Sequence, residues 1–271
     1  MSRIQTVFEG LRREGRRGLI PFITAGDPEL ATTRELIVEF GRCGASVVEV
    51  GMPFSDPVAD GPTIQHSSER ALRRGVGVGD VLRVVAEARA QTDLPVVLFS
   101  YFNPLLQFGV ERLCAEAKAA GVDGLLVTDL VPEEAGVFAE AAQRHDLDLI
   151  FLAAPTSTDV RLRLITERAS GFVYAVARAG VTGARTDLSA EARRLVERVR
   201  GLTPLPVAVG FGVASAEQVA EVWEYADAAV IGSAIVSEIE RHAGATDLVE
   251  RVGAYVRSLT PAGLSLAADR T

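Results

Sequence analysis

The chain is short of the residues that most often announce a reaction. Its 271 residues include one lysine, Lys118, two cysteines and three histidines. Lys118 stands between Ala117 and Ala119 in a helical stretch, away from any strand end, and is poorly placed for Schiff-base chemistry. Cys43 and Cys114 lie beside small residues in expected helices and read as buried free thiols in a reducing compartment. No C-x-x-C pair or His/Cys cluster has metal-ligand spacing, so no metal is expected. His66, His145 and His242 have no serine or cysteine partner pattern and read as surface or internally satisfied helical residues. No apolar run approaches the ~18 residues that span a bilayer. The N-terminus lacks the apolar core of a secretory signal, so a cytoplasmic address is expected. Positive charge is also in deficit, with 28 Lys+Arg against 36 Asp+Glu and a net charge of −8. Nucleic acid and anionic membrane surfaces are therefore poor partners. No G-x-G-x-x-G follows the first expected strand, which argues against a doubly wound dinucleotide fold.

What is present is a regular alternation. The composition, 48% hydrophobic and 24% charged, is that of a chain able to bury a sizeable core. Eight short apolar runs, at 19–24, 46–50, 95–100, 124–128, 147–152, 171–176, 206–209 and 228–231, alternate with helical patterns such as 29–43, 109–119, 132–144 and 188–201. The runs are continuous rather than alternating, as parallel strands buried on both faces require. Repeated βα units of ~30 residues predict an α/β fold, a single (β/α)8 TIM barrel, over residues 1–258. An extra amphipathic N-terminal helix presents Ile4, Val7, Phe8 and Leu11 on one face. A short extra helix is expected after strand eight. The glycine-rich segment 74–80 reads as a loop joining two helices inside one unit, and 259–271 as a flexible C-terminal tail.

In such a barrel chemistry collects where strands end. Glu49 sits inside the second run, flanked by valines. Burial there raises a carboxyl pKa into the range useful for proton transfer, unless an arginine or backbone N–H groups satisfy it. The following segment, GMPFSDPVADGPTIQ (51–65), places Pro62 as the first residue of a helix. Asp60 is then either the cap of that helix or a second carboxylate opposite Glu49. Glycine-rich turns at 178–183, 210–213 and 231–235 follow the last three strands, and the final pair stands where these barrels bind phosphate through backbone N–H groups.

The segment 51–65 closely resembles the signature of the tryptophan synthase alpha chain family. PFITAGDP (21–28), VVLFSYFNPLLQFG (96–109), GVDGLLVTDL (121–130), APTSTDVRLRLI (154–165), YAVARAGVTG (174–183), VGFGV (209–213) and IGSAIV (231–236) resemble it in order and spacing. The resemblance implies retro-aldol cleavage of indole-3-glycerol phosphate to indole and D-glyceraldehyde 3-phosphate. It implies Glu49 as the acid/base, Asp60 on the indole N1–H and Tyr174 near Glu49. Phe22, Tyr101, Leu126 and Phe211 would line the indole slot. Gly183, Phe211, Gly212, Gly232 and Ser233 would hold the phosphate, with Thr182 and Arg178 on a closing loop. No cofactor is implied for this chain, since pyridoxal phosphate belongs to a partner beta subunit in an alpha2beta2 tetramer. That partner would dock on the face formed by 53–60, 103–108 and 129–134. Met52 stands where the family more often has Ile or Val, and LVPEE where it more often has L-P-x-E-E. Neighbouring phosphate-binding barrels fit less well: indole-glycerol-phosphate synthase needs lysines at strand ends. Phosphoribosylanthranilate isomerase needs a cysteine where this chain has Thr24. A stand-alone lyase and a catalytically weak subunit that activates the beta chain remain the alternatives.

Overall fold

The computed structural model describes residues 1–176, 185–210 and 212–261, without the side chains of 185–189. Among them nine parallel strands run in chain order: β1 (Gly18–Thr24), β2 (Val48–Gly51), β3 (Val96–Ser100), β4 (Gly124–Val127), β5 (Asp148–Ile150), β6 (Leu152–Ala153), β7 (Val173–Val176), β8 (Val207–Gly210) and β9 (Ala228–Ile231). Their spatial order is β5-β4-β3-β2-β1-β9-β8-β7-β6. The two ends of that order, β5 and β6, are separated in the chain by Phe151 alone. The first half of this interrupted strand pairs with β4 and the second with β7. The ring therefore closes on itself as eight βα units, the expected barrel.

The helices on the outside are α1 (Arg3–Arg13), α2 (Leu30–Arg42), α3 (Pro62–Arg73), α4 (Val78–Arg89), α5 (Phe102–Phe108), α6 (Val110–Ala120), α7 (Gly136–Arg144), α8 (Asp159–Arg168), α9 (Arg185–Arg200), α10 (Ala216–Trp223), α11 (Ser233–Arg241) and α12 (Leu248–Ser258). The N-terminal helix and the extra helix after the last strand are α1 and α11. The second unit carries two helices, α3 and α4, as expected. The stretch 132–144 is not one helix: a 3-10 turn, Pro132–Glu134, precedes α7. None of the described helices is long and apolar enough to cross a membrane. Leu259, just past α12, is still buried; residues 262–271 lie outside the described part.

Strand periodicity divides the core in two. Residues at even spacing along the strands, among them Ile20, Phe22, Val97, Phe99, Leu126, Ile150, Phe172 and Tyr174, fill the barrel interior. Their chain neighbours face the helices. Ile4, Phe8 and Leu11 of α1 join the interior set, and the Phe8 ring meets Phe172 at 5.8 Å between centroids. The amphipathic face read from the sequence thus plugs the barrel's N-terminal end. The Asp123 carboxylate holds that end together: it accepts from the Val96 N–H at 2.9 Å and pairs with Arg3 and Arg89 at 2.8 and 3.0 Å. Cys43 and Cys114 are free and buried, and burial pushes both thiols up to about 11. The histidines at 145 and 242 rest on Glu111 and Glu238, each at 2.9 Å.

Candidate active site

Glu49 lies in register between Phe22 on β1 and Val97 on β3. Even spacing along β2 turns its side chain to the barrel interior, where only 1% of the residue is exposed. The alternative of a structural ion pair is not what forms. Oε1 is buried and has no hydrogen-bond partner among the described residues. Desolvation, with no compensating cation among the described residues, pushes its pKa up to about 8. A carboxyl of this kind holds its proton at neutral pH and can give it up to a substrate.

Asp60 reaches the same chamber from the segment after β2. The sequence left open that it caps the helix at Pro62. It does not: the cap position is Gly61, without a side-chain cap bond. The Asp60 carboxylate instead accepts a hydrogen bond from the Tyr101 hydroxyl at 3.1 Å. Burial raises its pKa to about 6, against the lowering effect of that hydrogen bond. Tyr174 on β7 lies within electrostatic reach of both carboxyls, and burial first, then their charge, holds its hydroxyl well above the ordinary tyrosine range.

The apolar wall forms around these groups. Phe22 and Phe99 meet edge to face at 5.2 Å, and Leu126 is fully buried beside them. Phe99 was not singled out in the sequence, although the period of two from Val97 through Phe99 to Tyr101 carries it to the same side. Ile64 was also missed: it stands on the first turn of α3, and its Cδ1 is 3.8 Å from where a Cβ on Gly232 would lie. Leu152 packs on the interior set from the interrupted strand. Gly51 makes room for the Phe22 ring, since a Cβ there would stand 2.5 Å from the ring carbon Cζ.

Gly232 is the N-cap of α11, and Ser233 is its first residue. The first-turn N–H groups of a helix have no partner within it, and they carry the positive end of the dipole toward any anion placed there. Gly212, with φ +91°, turns the chain after β8 in a conformation that glycine adopts without strain. The mouth is braced by Arg70 of α3, which grips buried Asp27 through two hydrogen bonds of 2.8 and 2.9 Å and Glu240 of α11 through one of 2.6 Å. Thr24 and Ser67, hydroxyls 2.6 Å apart, join β1 to the same helix. Arg70→Ala leaves the Asp27 carboxylate buried without its cation, so a loss of about 3 kcal/mol in unfolding free energy is expected. A urea denaturation midpoint unchanged from the parent would disprove that bracing role. Of the remaining candidates, Arg178, Thr182, Gly183 and Phe211 lie outside the described residues.

With this geometry in hand, similarity to known proteins is decisive. The family model described as tryptophan synthase alpha chain matches residues 8–262. The chain belongs to the tryptophan synthase alpha chain family. A tryptophan synthase alpha chain from Geobacter sp. (strain M21) is 47% identical over 259 residues, covering 96% of this chain and 97% of its own. The alpha subunit from Legionella pneumophila str. Paris superposes with a TM-score of 0.88 at 36% identity, over 96% of this chain and 97% of that one. A chain of the aminoacrylate-bound tryptophan synthase from M. tuberculosis gives 0.86 at 36% identity, over 96% and 98%. The tryptophan synthase alpha chain family thus accounts for nearly the whole length, including every strand of the barrel.

Proposed function

We propose that this chain cleaves indole-3-glycerol phosphate to indole and D-glyceraldehyde 3-phosphate, the lyase half-reaction of tryptophan biosynthesis. The observation that carries the reading is Glu49, a buried carboxyl whose Oε1 has no hydrogen-bond partner among the described residues and whose pKa is raised to about 8. Cleavage needs indole C3 to leave as a stabilised carbon. Protonated Glu49 donates its proton to C3, which makes the ring an indolenine. The bond from C3 to the side-chain carbon then breaks, and its electron pair returns to the ring. The side-chain hydroxyl becomes the aldehyde, and its proton passes to the Glu49 carboxylate, which restores the acid. Ionised Asp60 accepts from N1–H and shares the positive charge that C3 protonation places on the ring. Tyr174 lies within electrostatic reach of both carboxyls, and its part in the catalysis is what the family resemblance implies.

The indole ring fits the slot of Phe22, Phe99, Tyr101 and Leu126. The phosphate is assigned to the backbone of Gly212, Gly232 and Ser233; the further roles of Gly183 and Phe211 at the phosphate and of Thr182 and Arg178 on a closing loop are what the family resemblance implies. Acid, acceptor and anion site all come from side chains and backbone, so the chain is proposed to need no cofactor of its own. Its partner in this reading is a pyridoxal-phosphate beta subunit, in a cytoplasmic alpha2beta2 assembly. Exposed apolar side chains favour that docking face, two of them, Val58 and Leu106, within 53–60 and 103–108 and two, Val137 and Val160, on the neighbouring helices. Val58, Leu106, Val137 and Val160, exposed by 85%, 51%, 74% and 74%, stand on the segments that follow β2, β3, β4 and β6, on consecutive units of the barrel's C-terminal end.

The test is indole release from indole-3-glycerol phosphate with and without a beta subunit. Weak release that the partner raises by at least ~10-fold supports the reading, because coupling of this kind is typically worth 5- to 150-fold. Full release from the isolated chain makes it a stand-alone lyase. No release under either condition, with the beta subunit still activated, makes it a regulatory subunit.

A further inference from the structure

The slot reading treats Tyr101 as apolar wall, but its hydroxyl has specific work. Tyr101 follows β3 directly, is buried, and touches the segment after β2 at three points. Its ring packs on Phe54 at 5.3 Å between centroids. Its hydroxyl accepts the Ala59 N–H at 2.9 Å and donates to the Asp60 carboxylate at 3.1 Å. The hydroxyl is thus filled from the backbone on one side and spends its proton on the carboxylate on the other. Thr128, after β4, lies against the same hydroxyl. The end of β3 is itself fixed, since the next N–H, of Phe102, donates to Asp129 at 2.7 Å.

We propose that Tyr101 is a positioning residue for Asp60, a latch that ties the segment after β2 to the end of β3 and keeps the Asp60 carboxylate ionised and aimed into the chamber. The proposal rests on the lyase reading for its consequence in the reaction, though not for its geometry. Among the described residues, the titratable groups within reach of Asp60 are Tyr101 after β3 and Tyr174 on β7, which Glu49 on β2 also reaches; Asp56 lies on its own segment and Asp129 beyond β4. These are neutral or anionic, so among the described residues it is the Tyr101 proton that favours the charged carboxylate. Without it, Asp60 protonates at a higher pH and can no longer accept the indole N–H.

The experiment is a carbon-13 NMR titration of the aspartate carboxyls in the full chain, with Asp60 assigned from Asp60→Asn, in the parent, Tyr101→Phe and Phe54→Leu. It is paired with kcat/KM against pH for indole-3-glycerol phosphate. Tyr101→Phe is expected to raise the Asp60 midpoint by roughly one unit, to move the acid limb of kcat/KM up equally, and to cost ~5-fold at the parent's midpoint. Phe54→Leu removes the ring contact but neither hydrogen bond, and is expected to leave the midpoint in place. An unchanged midpoint in Tyr101→Phe overturns the latch, whatever the activity does. So does an equal shift in Phe54→Leu, which would assign the effect to packing. A parent chain that releases no indole sinks the lyase reading, while the NMR midpoints still decide on the latch.

Discussion

Glu49→Gln is expected to lower kcat/KM for indole-3-glycerol phosphate by ~10²–10⁴-fold, the range for loss of a positioned general acid–base group. Gln keeps the volume and a hydrogen-bond donor, but it cannot release a proton to C3 or take one from the side-chain hydroxyl. The parent should show a bell-shaped profile. Its alkaline limb falls near pH 8, where free Glu49 loses the proton it must donate. Its acid limb falls near pH 6, where Asp60 gains a proton and stops accepting from N1–H. Any residual activity of Glu49→Gln should lack the alkaline limb. The same substitution has an opposite effect on stability. Below about pH 4 the Glu49 carboxyl is protonated folded and unfolded alike. Between there and pH 8 the folded chain keeps a proton that the unfolded chain has lost, so stability falls as pH rises across this window. Above pH 8 the cost of burying the charge is fully present. Gln never pays that cost, and the variant should be more stable than the parent at pH 9 by on the order of a few kcal/mol. Activity within a few-fold of the parent, or a variant no more stable than the parent at pH 9, would remove Glu49 from the chemistry or from its buried, unpaired setting.

Glu49 was legible because one residue broke a rule: a carboxylate among valines in an expected strand must either find a cation or backbone N–H groups or stand with a raised pKa. The strands were legible for a related reason, since β-branched runs buried on both faces leave no other reading. What escaped depends on partners remote in sequence. The fifth strand reads as one run at 147–152, but it changes partners at Phe151, from β4 to β7, and so appears as two strands. Nothing local marks that switch, which belongs to closure of the ring. Asp60 before Pro62 satisfies the local rule for a helix cap, yet Tyr101, 41 residues on, outbids the helix for its carboxylate. The helix α5 was not among the helical patterns read from the sequence, because a seven-residue element containing Pro104 gives almost no periodic signal. Pro104 falls in its first turn, where a missing N–H costs nothing. The turns after the last strands were legible as glycine spacing, but the brace of Arg70 across Asp27 and Glu240 joins three distant segments and left no pattern to read.

Gly210→Ala is expected to cut kcat/KM by at least ~10²-fold while leaving a folded chain, and the reason lies one strand away. A Cβ at Gly210 would stand 2.0 Å from the Tyr174 hydroxyl oxygen and 2.6 Å from the ring carbon that bears it. Real side-chain carbons do not approach so closely, so either β8 or the tyrosine must move. β8 is hydrogen-bonded on both sides, to β7 and β9, whereas the tyrosine can swing at its side-chain torsions. The ring should therefore turn away from Gly210, and the space it enters is the chamber, where it meets Glu49 and Asp60. A displacement of about 1 Å there costs ~10²-fold, and the strain costs about 1–3 kcal/mol of stability. The explanation has a specific check in a second substitution. Tyr174→Phe removes only the hydroxyl and leaves the ring carbons at 2.6 and 3.0 Å, so it should restore Gly210→Ala poorly. Tyr174→Leu ends short of those atoms and should restore more of the lost activity, even though Tyr174→Leu alone is impaired. That sign reversal is a coupling between contacting residues, read from a double-mutant cycle of kcat/KM. If the two substitutions instead add, with the double variant worse than either single one, the tyrosine is not what the glycine makes room for, and Gly210 serves the phosphate loop directly.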